Sequence, residues 1–412
     1  MDHTKHLVIG GGLAGGSAVR VLRVTDPEAR IVLVTEESHL PYDRVPLSKQ
    51  VLMGKLTIDK VFLKDEEFYK QERIEIIRNR RATSVDIHSH LVTFDDGSEL
   101  EFERLLFATG GSPVRLSIPG NDLPGIYYLR TIEDSEAILS ALNSKSALII
   151  GGGFIGCEVA AACISKGLET TIVEAGPRLL GKAIDEETAQ WVTDYFKEQG
   201  VTVFTNTTAS KFIEDEGRVG GVELDGGDRI RSDFVVVGIG VKPNDQLARD
   251  AGLQVDNGIA VSENLQASSP GIYAAGDVAR FHSPLFGKPL RVEHYDVAFK
   301  HGRIAGANMV GAHEAFSDPP YFYSFTPNLK IQVWGDVTDY DKVVRRGSLK
   351  AVDDKTRFAQ FYLKEGQVQA YLSVNRDFKE AQAGQKLVIS RKKLDDLSPL
   401  SDETVDLNSL VD

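Results

Sequence analysis

Two glycine fingerprints, Gly10-x-Gly12-x-x-Gly15 and Gly151-x-Gly153-x-x-Gly156, constrain this chain more than any other feature. Each opens directly out of a short apolar run. His6-Leu-Val-Ile9 reads as a buried parallel strand, and Leu13-Ala-Gly-Gly-Ser-Ala-Val-Arg-Val-Leu22 as the small-residue helix that follows it. The second copy has Ala147-Leu-Ile-Ile150 as its strand and Phe154 to Lys166 as its helix. In such a unit the first glycine permits a tight turn, the second lets backbone approach a pyrophosphate, and the third lets helix and strand pack closely. The helix N-terminus supplies unpaired N–H groups and a partial positive charge, so an anion binds without needing a lysine. Two such units predict two bound dinucleotides.

Each fingerprint is followed by an acid at the end of the next strand. Ile31-Val-Leu-Val-Thr35 runs into Glu36, 21 positions beyond Gly15, and Thr170-Thr-Ile-Val173 runs into Glu174, 18 beyond Gly156. A carboxylate placed there can take both hydroxyls of an adenosine ribose. A ribose 2′-phosphate beside Glu174 would be repelled, which predicts NADH at the second unit, although Arg178 just downstream leaves NADPH open.

Composition narrows the chemistry mainly by subtraction. A chain of 412 residues has room for two or three domains with separate cores. No apolar run approaches the roughly 18 residues of a membrane span, and the first strand begins too close to Met1 for a signal peptide, so a cytoplasmic protein is expected. A net charge of −13 argues against nucleic acid or an anionic membrane as partner. The two cysteines, Cys157 and Cys163, lie six apart on one helix and face different directions, so they read as packing residues and not as a disulfide. Two cysteines and nine scattered histidines offer no iron–sulfur or metal site.

The order of elements predicts an interrupted layout. A helical stretch, Asp59 to Glu72, and a hairpin around Asp95-Asp96-Gly97 lead back to a strand at Leu105-Leu-Phe-Ala-Thr-Gly110. The second unit closes with Asp233-Phe-Val-Val-Val-Gly-Ile-Gly240, and Ser269 to Asp277 returns to the first. We therefore expect a discontinuous first nucleotide domain over 1–113 and 241–319 and an inserted second over 114–240. Alternating runs such as Arg357 to Leu363 and Gln367 to Val374 predict an antiparallel sheet in a third domain over 320–412, with the last dozen residues a loose tail or edge segment. The fold class is α/β, two Rossmann-type domains followed by a C-terminal α+β domain.

Taken in order, the motifs resemble one family. They are Gly10 to Gly15, Pro41-Tyr-Asp-Arg-Val-Pro-Leu-Ser-Lys49, Ala108-Thr-Gly110, Gly151 to Glu158, Gly238-Ile-Gly-Val-Lys-Pro-Asn244, Ala274-Ala-Gly-Asp277 and Arg291-Val-Glu-His294. Over nearly the whole length the chain resembles the FAD-dependent, NAD(P)H-linked ferredoxin reductases that serve oxygenase and cytochrome P450 systems. That group looks much like apoptosis-inducing factor and has the glutathione-reductase fold. The resemblance implies FAD at the first fingerprint and NADH at the second. It places Gly10, Gly12, Leu13, Ala14, Gly15, Glu36, Arg44, Lys49 and Asp277 toward FAD, and counts Ala82, Ala108, Thr109, Gly110, Arg130 and Gly276 among the cofactor-binding residues. Gly151, Gly153, Phe154, Ile155, Gly156, Glu158, Glu174 and Gly240 fall toward NADH, with Glu293, His294, Tyr295 and Tyr323 around the flavin ring. Lys49 and Glu158 look like the family's buried catalytic pair beside flavin N5; from the residues alone, Glu158 could simply favour the first turn of its helix, and His294 could be an interface histidine.

Three departures from the family pattern leave FAD binding in place and bear on the identity of the electron acceptor. Val45-Pro46 stands for the usual Pro-Pro, Tyr295 for a common tryptophan, and Phe322-Tyr-Ser-Phe325 for Phe-Trp-Ser-Asp. The implied activity is hydride transfer from NADH to flavin N5, then single electrons to a [2Fe–2S] ferredoxin, by a monomer or homodimer. Two alternatives are an NADH oxidase or quinone-type reductase without a protein acceptor, and a redox-sensing protein similar to apoptosis-inducing factor. Docking of an acidic ferredoxin would need a local basic patch, for which Arg291, Lys300 and Arg303, or Arg345 and Arg346, are candidates, although each set reads first as ordinary solvated surface.

Overall fold

The computed structural model describes residues 2–325, 329–349 and 355–411. Its first compact unit comprises 1–44, 58–112 and 242–320, and its second 45–57, 113–241 and 321–412. The chain thus leaves the first unit and returns to it, as the motif order requires. The short segment 45–57, which contains Lys49, belongs with the second unit.

In the first unit a sheet runs in the order Ile74–Ile77, Ile31–Val34, His3–Ile9, Glu99–Phe107, Leu91–Phe94, Ala82–Asp86, with Ile272–Ala274 beside Glu99–Phe107. His3–Ile9 is parallel to both of its neighbours, and its residues Leu7 and Val8 are wholly buried. A parallel strand covered on both faces needs a continuous apolar run. The hairpin at Asp95-Asp96-Gly97 is present, with Gly97 at φ +82° and antiparallel pairing of Leu91–Phe94 with Glu99–Phe107. Two helices cover one another here, Leu13–Thr25 and Tyr295–Met309. Their contact is close because Gly302 and Gly306 face the first helix: a Cβ on Gly302 would stand 2.2 Å from the Ala14 carbonyl oxygen.

The helix expected over Asp59 to Glu72 is much shorter, Glu66–Gln71. Asp65 caps it by accepting from the Phe68 amide, which fixes where it starts. The residues before it form a 3-10 turn, Ile58–Lys60, and a bend, with Tyr42 bridged to Phe62 and the Leu63 amide donating to the Pro41 carbonyl.

The second unit holds an all-parallel sheet in the order Thr202–Phe204, Glu169–Val173, Ser146–Ile150, Phe234–Val237, Ile126–Tyr127. A three-stranded antiparallel sheet, Ala209–Asp215, Arg218–Leu224 and Arg229–Arg231, packs beside it around Phe212, Val219 and Val222. The C-terminal part is the expected antiparallel sheet, in the order Tyr321–Phe325, Lys330–Gly335, Gln367–Val374, Phe358–Lys364, Lys342–Gly347.

The final residues are not a loose tail. Leu400 and Leu407 are buried, and the Arg346 guanidinium donates to the carbonyls of Asp402, Glu403 and Val405. Among the described residues no helix is long and apolar enough to cross a membrane.

Candidate functional site

The two fingerprints fold into cradles that agree closely in detail. Gly10 has φ +123°, and an added Cβ would lie 2.1 Å from the Ala108 carbonyl oxygen; Gly151 has φ +106° and would meet the Gly238 carbonyl oxygen at 2.3 Å. Cβ atoms on Gly15 and Gly156 would each fall 2.0 Å from the carbonyl oxygen of the first glycine in the motif. Only glycine fits these four positions. The middle glycines differ in kind: Gly12 and Gly153 face open space, and a Cβ added to either would have nothing within 4 Å.

That open space lies at two bare helix ends. Gly12 caps Leu13–Thr25 and Gly153 caps Phe154–Ser165, neither with a side-chain hydrogen bond and neither with an acid in its first turn. The other long helices of the second unit are finished differently. Thr131, Asp185 and Asp377 cap Ile132–Ala141, Glu186–Glu198 and Phe378–Ser390 through their side chains, and each first turn carries acid. The two fingerprint helices therefore keep their N–H groups and positive ends for an external anion, which fits a dinucleotide pyrophosphate.

The acids that follow are not equivalent. The Gly10 amide donates to Val34 and the Gly151 amide to Val173, each at 2.8 Å, so Thr35 occupies the place that Glu174 has in the second unit. Glu36 lies one residue farther out and is exposed. Glu174 accepts from the Gly152 and Gly176 amides, both at 2.6 Å, and so orders the second glycine loop. Arg178 is engaged by Glu186 and Gln190.

Around the first cradle, Gly276 at φ +75° brings the turn Gly276–Val278 within 3.1 Å of the Ala14 methyl, measured from a Cβ on the glycine, and sets Asp277 beside the helix start. Arg44 is bound by Glu37 and the Tyr42 hydroxyl, each at 2.5 Å. His294 caps helix Tyr295–Met309; loss of solvation holds its imidazole down at about 4 against the opposing field of Asp277. Glu293 pairs with Arg291, and Tyr295 stacks near Phe299. Thr109 and Gly110 are clamped by Asn244, which donates to the Thr109 carbonyl, accepts from Ser112 through its side chain and reaches the Gly110 carbonyl with its amide. Asn244 falls within a motif, but its clamp spans 135 positions and leaves no local signal in the sequence. Ala82 opens a strand opposite Phe94, and the Arg130 amide donates to Asp134 at the start of a helix.

Near the second cradle lies a buried ionic cluster, wholly inside the second unit. The 3-10 turn Val45–Ser48 is tied down by Ser135, whose hydroxyl donates to the Leu47 carbonyl at 2.9 Å. It presents Lys49, 6% exposed, to Glu158, 4% exposed, at 3.2 Å. Lys49 also donates to the Tyr323 carbonyl at 3.3 Å and lies 4.7 Å over the Tyr323 ring. Glu158 sits one helical turn after Phe154, which packs edge-on against Phe322 at 4.7 Å. Ser48 and Ser324 donate to the two oxygens of Glu158. The first-turn alternative for Glu158 gives way to a buried ion pair. The side chain of Phe325 lies outside the described residues.

Thiol chemistry has no candidate. Both cysteines are buried, the Cys157 thiol is pushed up by burial and by the nearby Glu158 and Glu174, and Cys163 is pushed up to about 12 by burial. The expected basic patches are also largely spent. Lys300 bridges Asp296 and Asp318, Arg291 is held by Glu293, Arg345 by Glu187, and Arg346 is buried. Of the five, Arg303 alone is exposed.

Residues 4–302 match the family described as pyridine nucleotide-disulphide oxidoreductase, and residues 321–411 match the reductase C-terminal domain. The chain is similar to putidaredoxin reductase CamA of Pseudomonas putida, 33% identical over 98% of this chain and 96% of that one. It is 35% identical, over 95% of both chains, to the biphenyl dioxygenase system ferredoxin--NAD(+) reductase component of Paraburkholderia xenovorans. Among solved structures, the covalent putidaredoxin reductase–putidaredoxin complex contains a chain matching with a TM-score of 0.94 at 32% identity, covering 100% of this chain and 99% of that one.

Proposed function

The chain belongs to the pyridine nucleotide-disulphide oxidoreductases, and on that premise we propose that it is an FAD-dependent, NADH-linked ferredoxin reductase. The observation that carries this reading is the pair of matched cradles combined with a chain whose thiols are buried and inert. Two nucleotides without a protein nucleophile leave direct hydride transfer between the nucleotides as the chemistry. FAD, when bound, accepts a hydride as an electron pair and gives the electrons up singly, which suits an iron–sulfur acceptor.

The chain's own residues bind, orient and balance charge. The helix starts at Leu13 and Phe154 take the two pyrophosphates. Glu36 and Glu174 take the adenosine riboses, and the charge on Glu174 disfavours a 2′-phosphate. Asp277, Arg44, His294 and Tyr295 line the FAD side; neutral His294 adds no charge there. Lys49 is the cation that meets the negative charge arriving with the hydride, and Glu158 holds it. Of the three ammonium protons of Lys49, two are directed to Glu158 and the Tyr323 carbonyl, which leaves one for a cofactor acceptor. A [2Fe–2S] ferredoxin as partner, and a monomer or homodimer as the working assembly, complete the proposal.

The test is to reduce the FAD-loaded protein with NADH anaerobically and offer ferredoxin, quinone or oxygen separately. Fast reoxidation by ferredoxin is expected. Fast reoxidation by oxygen or quinone alone removes the ferredoxin reading, and a long-lived reduced complex that no acceptor discharges points to a redox-sensing role.

A further inference from the structure

The Lys49–Glu158 pair has two attendants that the reaction as derived does not use. Ser48 donates its hydroxyl to Glu158 Oε2 at 2.5 Å, and Ser324 donates to Oε1 at 2.7 Å. Both serines are nearly closed off from solvent, 4% and 6% exposed. They come from the turn before Lys49 and from the first strand of the C-terminal sheet, 110 and 166 positions from Glu158. A buried hydroxyl is unfavourable unless it is bonded, and here the acceptor chosen from both directions is the same carboxylate.

An ion pair removed from water is held well only if the remaining lone pairs and protons are also satisfied. Lys49 supplies one contact to Glu158, on Oε1. Oε2 has Ser48. Without the serines, the Glu158 charge would be balanced by the Lys49 ammonium alone, which would draw that ammonium onto the carboxylate and away from any other acceptor. With them, part of the carboxylate's charge is taken up by neutral donors, and the Lys49 charge remains available.

We infer that Ser48 and Ser324 are positioning residues that act through Glu158 to set how strongly Lys49 stabilises the reduced cofactor. This rests on the assignment of Lys49 to the cofactor in the function proposed above. Tyr323 gives Lys49 a second anchor, its carbonyl at 3.3 Å, so the C-terminal strand contributes both to the ammonium and to the carboxylate.

The readout is the two-electron midpoint potential of FAD in the loaded protein, measured by equilibration with a reference dye. Ser48→Ala and Ser324→Ala are each expected to weaken stabilisation of the reduced form about tenfold, a shift of about 30 mV to more negative potential. Ser324→Thr, which keeps the hydroxyl, is expected to stay at the starting value. Ser324→Cys, isosteric with a weaker donor, is expected to shift in the same direction and serves if an alanine variant does not hold FAD. In a Glu158→Gln background the serine substitutions are expected to have no further effect, because the group they act through has lost its charge. Potentials unchanged by Ser48→Ala and Ser324→Ala, while Lys49→Met shifts its own, overturn the positioning role alone. A Lys49→Met potential equal to wild type overturns the assignment of Lys49 to the cofactor. Shifts of the same size with Glu158→Gln in place show that the serines act elsewhere and overturn the inference.

Discussion

Replacing Lys49 by methionine keeps the length of the side chain and removes its charge, which leaves the Glu158 carboxylate, 4% exposed, without its cation. Breaking a buried pair by removing one partner destabilises by about 3–5 kcal/mol, whereas replacing both partners with apolar groups is often neutral or stabilising. Ser48 and Ser324 still donate to the stranded carboxylate, so the lower end, about 3 kcal/mol, is the expected loss. The double variant Lys49→Met, Glu158→Leu is expected to recover most of it. The chain provides a convenient probe, since its two tryptophans, Trp191 and Trp334, both lie in the second unit with the pair. With a urea slope of about 3 kcal/mol per molar, tryptophan fluorescence should show the single variant unfolding about 1 M earlier than wild type and the double variant close to it. Equal midpoints for the single and double variants would refute the reasoning, because the loss would then come from packing and not from a stranded charge.

Gly302→Ala is expected to lose about 1–3 kcal/mol and to release FAD, since its methyl would press on the Ala14 carbonyl and shift the helix that carries the first cradle; FAD content after gel filtration and thermal melting check this, and unchanged FAD content would contradict it. His301 is fully buried between Phe281 and Phe316, and desolvation depresses its pKa to about 3 from 6.5. The unfolded chain therefore binds a proton that the folded chain refuses between those values, so the stabilisation is fully present above 6.5 and falls as pH drops, by about 2 kcal/mol at pH 5. His301→Phe should flatten the decline of melting temperature from pH 7 to 5, and an unaltered slope would remove His301 as its cause. Glu174→Gln should raise the ratio of kcat/KM for NADPH over NADH by about tenfold or more, as the repulsion of a 2′-phosphate disappears, at some loss of order in the glycine loop; an unchanged ratio would contradict that role.

The cradles were legible in sequence because a missing Cβ leaves its own mark: four of the six fingerprint glycines sit where any side chain would collide with a carbonyl, and two sit where a ligand must approach. The interrupted layout was legible for a similar local reason, since the strands His3–Ile9, Glu99–Phe107, Ser146–Ile150, Phe234–Val237 and Ile272–Ala274 each run into a glycine turn. What sequence did not disclose depends on distant segments meeting. Ser48, Ser324 and Asn244 are ordinary polar residues until the fold brings them to Glu158 and to the Thr109 loop. Leu400 and Leu407 are too sparse in an acidic stretch to announce a docked end, and the Arg346 side chain that secures that end resembled a surface charge beside Arg345. The two acids after the fingerprints looked alike because each closes the second strand of its unit, yet backbone registration puts Glu174 one position nearer its loop than Glu36 is to its own.

The central claim is that two separate cradles hold FAD and NADH in that chain order. Gly12→Ala and Gly153→Ala test it most directly, because each added methyl meets nothing within 4 Å in the protein and fills only space reserved for a pyrophosphate. Each methyl should cost the ligand one or two charge-assisted hydrogen bonds, about 2–4 kcal/mol, with melting temperature nearly unchanged when variant and wild type are compared free of nucleotide. The predicted result is a crossed pattern: Gly12→Ala protein purifies without FAD, whereas Gly153→Ala protein keeps FAD and binds NADH at least about thirtyfold more weakly. Both variants holding FAD and NADH at wild-type affinity, or the reverse pattern of losses, would contradict the account.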